Sequence, residues 1–159
     1  SKVTKTATIT ANYGDTYRKT VYNSWKKDGT VRQGEWASYG DCIGAWFFGT
    51  KIEDYSNKEI TKVEVTVKRQ AGGSNGEVVH TLKMHNQTSR PSGSLSFRSD
   101  FSKDFKVAVN NSFKVTLSTS DEIAAFKKCK GFGLEPKSYN QTYYSVCSGS
   151  LSVKITYKE

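Results

Sequence analysis

The clearest signal along the chain is strict alternation of apolar and polar residues. In Ile60–Arg69, Val63, Val65 and Val67 point one way, and Lys62, Glu64, Thr66 and Lys68 point the other. That period of two, carried by β-branched residues, predicts a half-buried β-strand. The closing stretch repeats it: Leu151, Val153, Ile155 and Tyr157 share one face, while Ser152, Lys154, Thr156 and Lys158 share the other. Glu77–His85 is read as the hairpin partner of Ile60–Arg69 across Ala71–Gly76, a loop of turn-forming residues. Gly131–Glu135, Thr142–Cys147 and the closing stretch are read as an antiparallel meander. Lys5–Ala11, Thr30–Trp36, Ser94–Ser99 and Ser112–Ser118 are further strand candidates. One helix interrupts the series near Ser120–Lys128. Thr119 and Glu122 form a capping box, Asp121 lies in the first turn, Lys127 and Lys128 lie in the last, and Gly131 follows.

Roughly ten short strands separated by Gly, Ser and Asn turns predict an all-β fold. Its expected form is a two-sheet antiparallel β-sandwich, jelly-roll-like, with one short helix. At 159 residues with no internal repeat or linker, the chain is expected to be a single domain over 1–159. It opens at Ser1 and not Met, which suggests a fragment of a longer polypeptide. The segment Gly44–Gly49 sets Trp46, Phe47 and Phe48 side by side. In a strand Trp46 and Phe48 share a face and Phe47 takes the other with Ala45. The triplet therefore reads as a core element in a central strand, with Phe47 less buried than its neighbours.

Charge changes the picture next. With 24 basic and 15 acidic residues the formal net charge is +9, which favours anionic partners. The lysines are nevertheless spread singly along strands, as on a solvated face. No apolar run approaches a membrane span, and no secretory leader stands at the start. Cys42, Cys129 and Cys147 form an odd set without CxxC spacing, so they are expected to be reduced, buried thiols and not a disulfide framework or a metal site.

Catalytic patterns do not emerge. His80 and His85 lie five apart on one strand and face opposite ways, so they cannot chelate one metal together. No HExxH, GxSxG, P-loop or dinucleotide fingerprint appears, and Glu53–Asp54 and Asp121–Glu122 do not read as a glycosidase acid/base pair. The expectation is a non-catalytic protein with no cofactor and no metal. Thr16–Lys27 interleaves aromatic and basic residues as single-strand binders do, but without an RRM, KH or zinc motif nucleic acid ranks below sugars. Aromatic rings stack on pyranose faces while polar side chains bind the hydroxyls. The expected ligand-binding residues are Trp25, Arg32, Trp36 and Tyr39, together with Tyr143. Gly14, Gly29, Gly34 and Gly40 imply that Tyr13–Tyr39 is loop-rich, so its rings cannot all be core. The alternative is that Trp25 and Trp36 plug one end of the sandwich.

The order of Thr16–Gly49, Ile60–Gly93, Gly131–Leu134 and Tyr143–Tyr157 resembles a β-sandwich, carbohydrate-binding-like domain of tail and baseplate proteins from phages or prophages of Gram-positive bacteria. The likeness spans nearly the whole chain and is most specific at Gly44–Gly49, the Gly-rich loop, His85–Gly93 and the closing strand. It implies a binding module for cell-wall polysaccharide or a teichoic-acid-like polymer. Its place would be the virion tail or the extracellular wall surface, in contact with other tail proteins and not with membrane. The alternatives are a structural spacer or assembly module of a tail fibre, or the wall-binding domain of a phage lysin.

Overall fold

The alternating stretches become antiparallel strands in the computed structural model, which describes all residues Ser1–Glu159. They are β1 (Thr4–Thr10), β2 (Tyr13–Arg18), β3 (Ser24–Lys26), β4 (Thr30–Trp36), β5 (Gly40–Phe47), β6 (Glu59–Gly73), β7 (Val78–His85), β8 (Lys103–Val107), β9 (Ser112–Leu117), β10 (Gly131–Leu134), β11 (Ser145–Ser148) and β12 (Ser152–Lys158). The single α-helix, α1, runs from Ser120 to Lys128 behind the expected capping box: Glu122 N–H donates to Thr119 Oγ1, and Glu122 Oε1 accepts from Thr119 N–H. Strands hold 51% of the residues and helical turns 9%. No helix is long and apolar enough to cross a membrane.

The strands form one curled antiparallel sheet whose main path is β1-β12-β6-β11-β4-β5-β10-β7-β8. From this path β9 branches off β6, and β2, carrying β3, branches off β5. The curl brings β6, β9 and β12 opposite β5, β7 and β10, and the main core fills the space between them. Trp46, Phe48, Val63, Val65, Val67, Leu151, Val153 and Ile155 all lie in it, fully buried. Helix α1 adds Ala125 and Phe126. The first and last strands pair in register from Thr4↔Lys158 to Thr10↔Ser152, so the chain ends lie side by side.

Phe47 is as buried as its neighbours, a correction to the expectation of partial exposure. It anchors a second, smaller cluster on the other face of β5 with Tyr17, Ile43, Ala45 and Leu95, flanked by Tyr13, Trp25, Phe97 and Tyr139. Strand β5 is covered on both faces because Asn86–Asp100 passes over it. That segment contains Ser94–Ser99, which was expected to be a strand and is not; it packs on the sheet through Leu95 and Phe97 and pairs with it only at the bridge His85↔Phe97.

Three further expectations are corrected. Strands β6 and β7 are not hairpin partners: β6 pairs with β12, β9 and β11, and β7 with β10 and β8. The connection wraps instead around the fully buried Arg69. Its guanidinium donates to the carbonyls of Gly72, Ser74, Gly76 and Val107, and burial lowers its pKa from the ordinary value. Nor do β10, β11 and β12 form a meander; β10 pairs with β5 and β7, β11 with β4 and β6, and β12 with β1 and β6. Finally, Tyr13–Tyr39 is largely strand. Gly14, Gly34 and Gly40 lie within β2, β4 and β5, and only Gly29 sits in a bend.

Candidate functional site

Strand β4 changes partners along its length. Thr30–Gln33 pairs with β11, while Gly34–Trp36 pairs with β5. The turning point is Gly34, at φ 96°, where a Cβ would stand 2.6 Å from the main chain of Tyr143 and Tyr144. Only glycine meets both demands. The bend delivers Arg32 before it and Trp36 after it to the same end of the sheet.

Arg32 organises that end. Its Nη1 donates to Tyr144 Oη at 2.6 Å, its Nε to Thr30 Oγ1 at 3.0 Å and its Nη2 to Asp28 Oδ2 at 3.4 Å. Its guanidinium also lies 4.1 Å from the centre of the Tyr39 ring, whose hydroxyl donates to Asp28 Oδ2 at 3.1 Å. Burial by itself would raise the Asp28 carboxyl, but hydrogen bonds from Thr30 and Tyr39 and the Arg32 charge hold it below the ordinary aspartate value. Burial raises the pKa of both Tyr39 and Tyr144, so both phenols stay neutral near pH 7.

Buried Tyr144 in turn backs Trp36. Their rings stack at 5.3 Å between centroids and 20° between planes, while Trp36 remains 43% exposed. The indole thus has one face on protein and the other open. Beside it is a cleft of about 370 Å3 lined by Arg32, Trp36, Tyr144, Gln70, Gly72 and Gly73, among others. Arg18 extends the row: its guanidinium is 4.0 Å from the Tyr22 ring centre and 6.0 Å from that of Tyr39. Such groups, a ring with an open face beside amides and hydroxyls, can stack on an apolar ring face and hydrogen-bond polar groups around it.

Of the expected site residues, the fold therefore brings together Arg32, Trp36 and Tyr39. Trp25 lies elsewhere, in the outer cluster, edge-on to Tyr17 and Phe47, with Nε1 donating to Gly93 O at 2.9 Å. It borders a different cleft of about 500 Å3 with Lys27, Arg90 and Pro91. There Arg90 pairs with the buried Asp15 at 2.5 Å, and its backbone N–H donates to Tyr13 Oη. Tyr143 supplies its carbonyl to Gln33 Nε2 at 2.9 Å, and the ring that joins the site belongs to its neighbour Tyr144. Asp28 and Tyr144 were not anticipated. The Tyr143-Tyr144 doublet was the available signal: Tyr143 closes a 3-10 turn over Gln141–Tyr143, and the extended residue after it, Tyr144, is the one whose ring reaches the site.

No His, Cys, Asp or Glu lines either cleft. His80 and His85 leave β7 on opposite faces, as expected, and burial lowers each to about 4. His80 Nδ1 donates to Val78 O and Nε2 accepts from Ser145 Oγ at 2.6 Å, a serine–histidine contact sealed inside the protein. The three cysteines are free and buried, each raised to about 12 by burial. No three His, Cys, Asp or Glu side chains converge as a metal site would require.

No family model and no curated protein matches the chain. Among solved structures it is similar to one reported under the description "Bacillus endospore appendages form a novel family of disulfide-linked pili". The identity is 9%, over 99% of this chain and 89% of that chain, with a TM-score of 0.39. A likeness at that level carries no argument for this protein.

Proposed function

We propose that the chain is a non-catalytic, single-domain binding module for bacterial cell-wall glycan or an anionic wall polymer, from a phage tail or baseplate receptor-binding protein. It acts at the virion tail or the outer wall surface. In this reading the curled sheet is a two-sheet antiparallel sandwich of jelly-roll type, with β4 crossing between its layers at Gly34. The observation that supports binding is Trp36, held flat on Tyr144 with its second face open beside a polar cleft. A pyranose ring laid on that face would place its hydroxyls within the reach of Gln70 and of the main chain at Gly72 and Gly73. Arg32 is a positioning residue, because its guanidinium is engaged by Thr30, Tyr144 and Asp28.

The test is sedimentation of the purified chain with isolated Gram-positive cell walls. Trp36→Ala is expected to reduce retention by about tenfold, equivalent to about 1.4 kcal/mol, with the melting curve nearly in place. Full retention by that variant would remove the cleft from consideration.

A further inference from the structure

The outward side of β1, β12, β6 and β9 has an unusually narrow chemistry. Strand β1 presents Thr4, Thr6, Thr8 and Thr10, and β12 presents Ser152, Lys154, Thr156 and Lys158. Next come Lys62, Glu64, Thr66 and Lys68 on β6, then Ser112, Lys114 and Thr116 on β9. The outward positions are mainly hydroxyls and ammoniums, with two carboxylates, Glu64 and, opposite Lys158, Glu59, and one amide, Gln70, at the end of the row on β6. Register sets the two kinds side by side: Thr8 faces Lys154, which faces Glu64, and Thr66 faces Lys114.

We propose that this face is a second binding surface, separate from the Trp36 cleft, and that its partner is a linear poly(phosphodiester) without aromatic bases. Side chains on one strand face repeat about every 6.7 Å and neighbouring strands lie about 4.8 Å apart. The ammonium groups therefore fall within about one Debye length and their potentials add. Glu64 cannot cancel them. It is shared by Lys114 at 3.2 Å and Lys62 at 3.6 Å and faces Lys154 across the register, while Glu59, opposite Lys158, is bonded to Lys2 at 2.6 Å, and Lys68 has no carboxylate opposite it. A face kept soluble by charge alone would intersperse both signs evenly; this one carries five lysines against two glutamates. Lysine ammonium and Ser/Thr hydroxyl groups are the donors that hold phosphate oxygens.

The same inventory decides between polyanions. The face offers no ring on which a base could stack and no Arg or Asn to read a base edge; its one amide, Gln70, sits at its margin beside the Trp36 cleft. It offers no outward apolar side chain to enter a lipid interface. A polyol phosphate chain asks only for repeated cationic and hydroxyl contacts.

The experiment is titration of the intact chain with delipidated poly(glycerol phosphate) over a salt series. Parallel titrations use duplex DNA at matched phosphate concentration and phosphatidylglycerol vesicles. The expected result is salt-sensitive binding to poly(glycerol phosphate) that exceeds binding to either comparison probe. K62Q/K114Q/K154Q is expected to weaken it about tenfold or more and to lower the slope of log affinity on log salt by roughly 2. K62R/K114R/K154R retains it. E64Q, which frees Lys62 and Lys114, strengthens it. In a Trp36→Ala background the glutamine triple variant is expected to produce the same fold loss, so failure of the cleft and failure of this face are told apart. Equal affinity and slope in the glutamine variant would overturn the proposal, as would absence of binding at low salt. Tighter binding to DNA or to vesicles would reassign the face to that partner and overturn it equally.

Discussion

Trp25 and Trp36 come from the same short stretch of chain, yet the fold gives them opposite surroundings. Trp25 leaves β3 on the side of Phe47, under the Asn86–Asp100 segment, with its N–H fixed to the Gly93 carbonyl. Trp36 leaves β4 just past the Gly34 bend, rests one face on Tyr144 and keeps the other in solvent. An arginine stands near each. Arg90 is tied to buried Asp15 beside the first cleft, and Arg32 to Asp28 and Tyr144 beside the second. Residue type is thus a poor guide to role in this sheet. The face from which the ring departs, and whether a covering segment crosses that face, decide between filler and platform.

The contrast can be broken most forcefully at the support of Trp25. Phe47→Ala removes the floor of the outer cluster, and a loss of about 3–5 kcal/mol is expected in denaturant titration; a loss below about 1 kcal/mol would mean that the cluster is not a core. Acid comes next, because one buried histidine lies on each side of the molecule. His80 stacks on Phe105 in the main core and His85 packs on Phe47. Each has its pKa lowered from 6.5 to about 4, burial being the main cause. The unfolded chain takes up these protons from pH 6.5 downward, whereas the folded chain resists until about pH 4. The stabilisation is therefore complete above pH 6.5 and is lost as the pH falls toward 4, by about 3 kcal/mol per histidine. His85→Gln should remove about half of that dependence, and an unchanged pH profile would show that His85 does not report on the outer cluster.

Smaller effects separate the tryptophans themselves. Trp25→Ala is expected to lower stability by about 2 kcal/mol, from lost burial and one hydrogen bond. Trp36→Ala should change it by less than about 1 kcal/mol while wall retention drops. Equal losses from the two variants in thermal melts would abolish the distinction.

The sequence disclosed these features unequally, for physical reasons. β6, β9, β12 and α1 were legible because one-sided burial imprints a period of two, and the helix carries its own cap. β2 was not, because Tyr13–Arg18 buries Gly14, Asp15 and Thr16, polar or small residues that break the apolar pattern. Partner choice was also hidden. Pairings such as β6 with β12 join distant stretches, and the loop that reads as a hairpin turn is organised by Arg69, whose neighbours only the fold assembles. At the cleft, Arg32, Trp36 and Tyr39 were found from residue type, while Tyr144 comes from the far end of the chain and was missed by one position. The lysine and threonine positions of the outward face were visible as alternation, but their union into one surface needed the register of four strands.

The pairing of the first and last strands has a mechanical consequence. Val3 and Glu159 hydrogen-bond to each other in both directions, at 2.9 and 3.0 Å, at the open end of the β1–β12 ladder. Tension applied through the two termini would pull across the strands, not along them, and would load one rung at a time. The ladder would unzip from Thr4–Lys158 inward at low force, as no shear geometry shares the load. Flanking segments joined there would also leave from nearly the same point, so the folded unit would add little contour length between them. A chain tethered at both ends would therefore hold this unit as a pendant, poorly placed to bear tension in series.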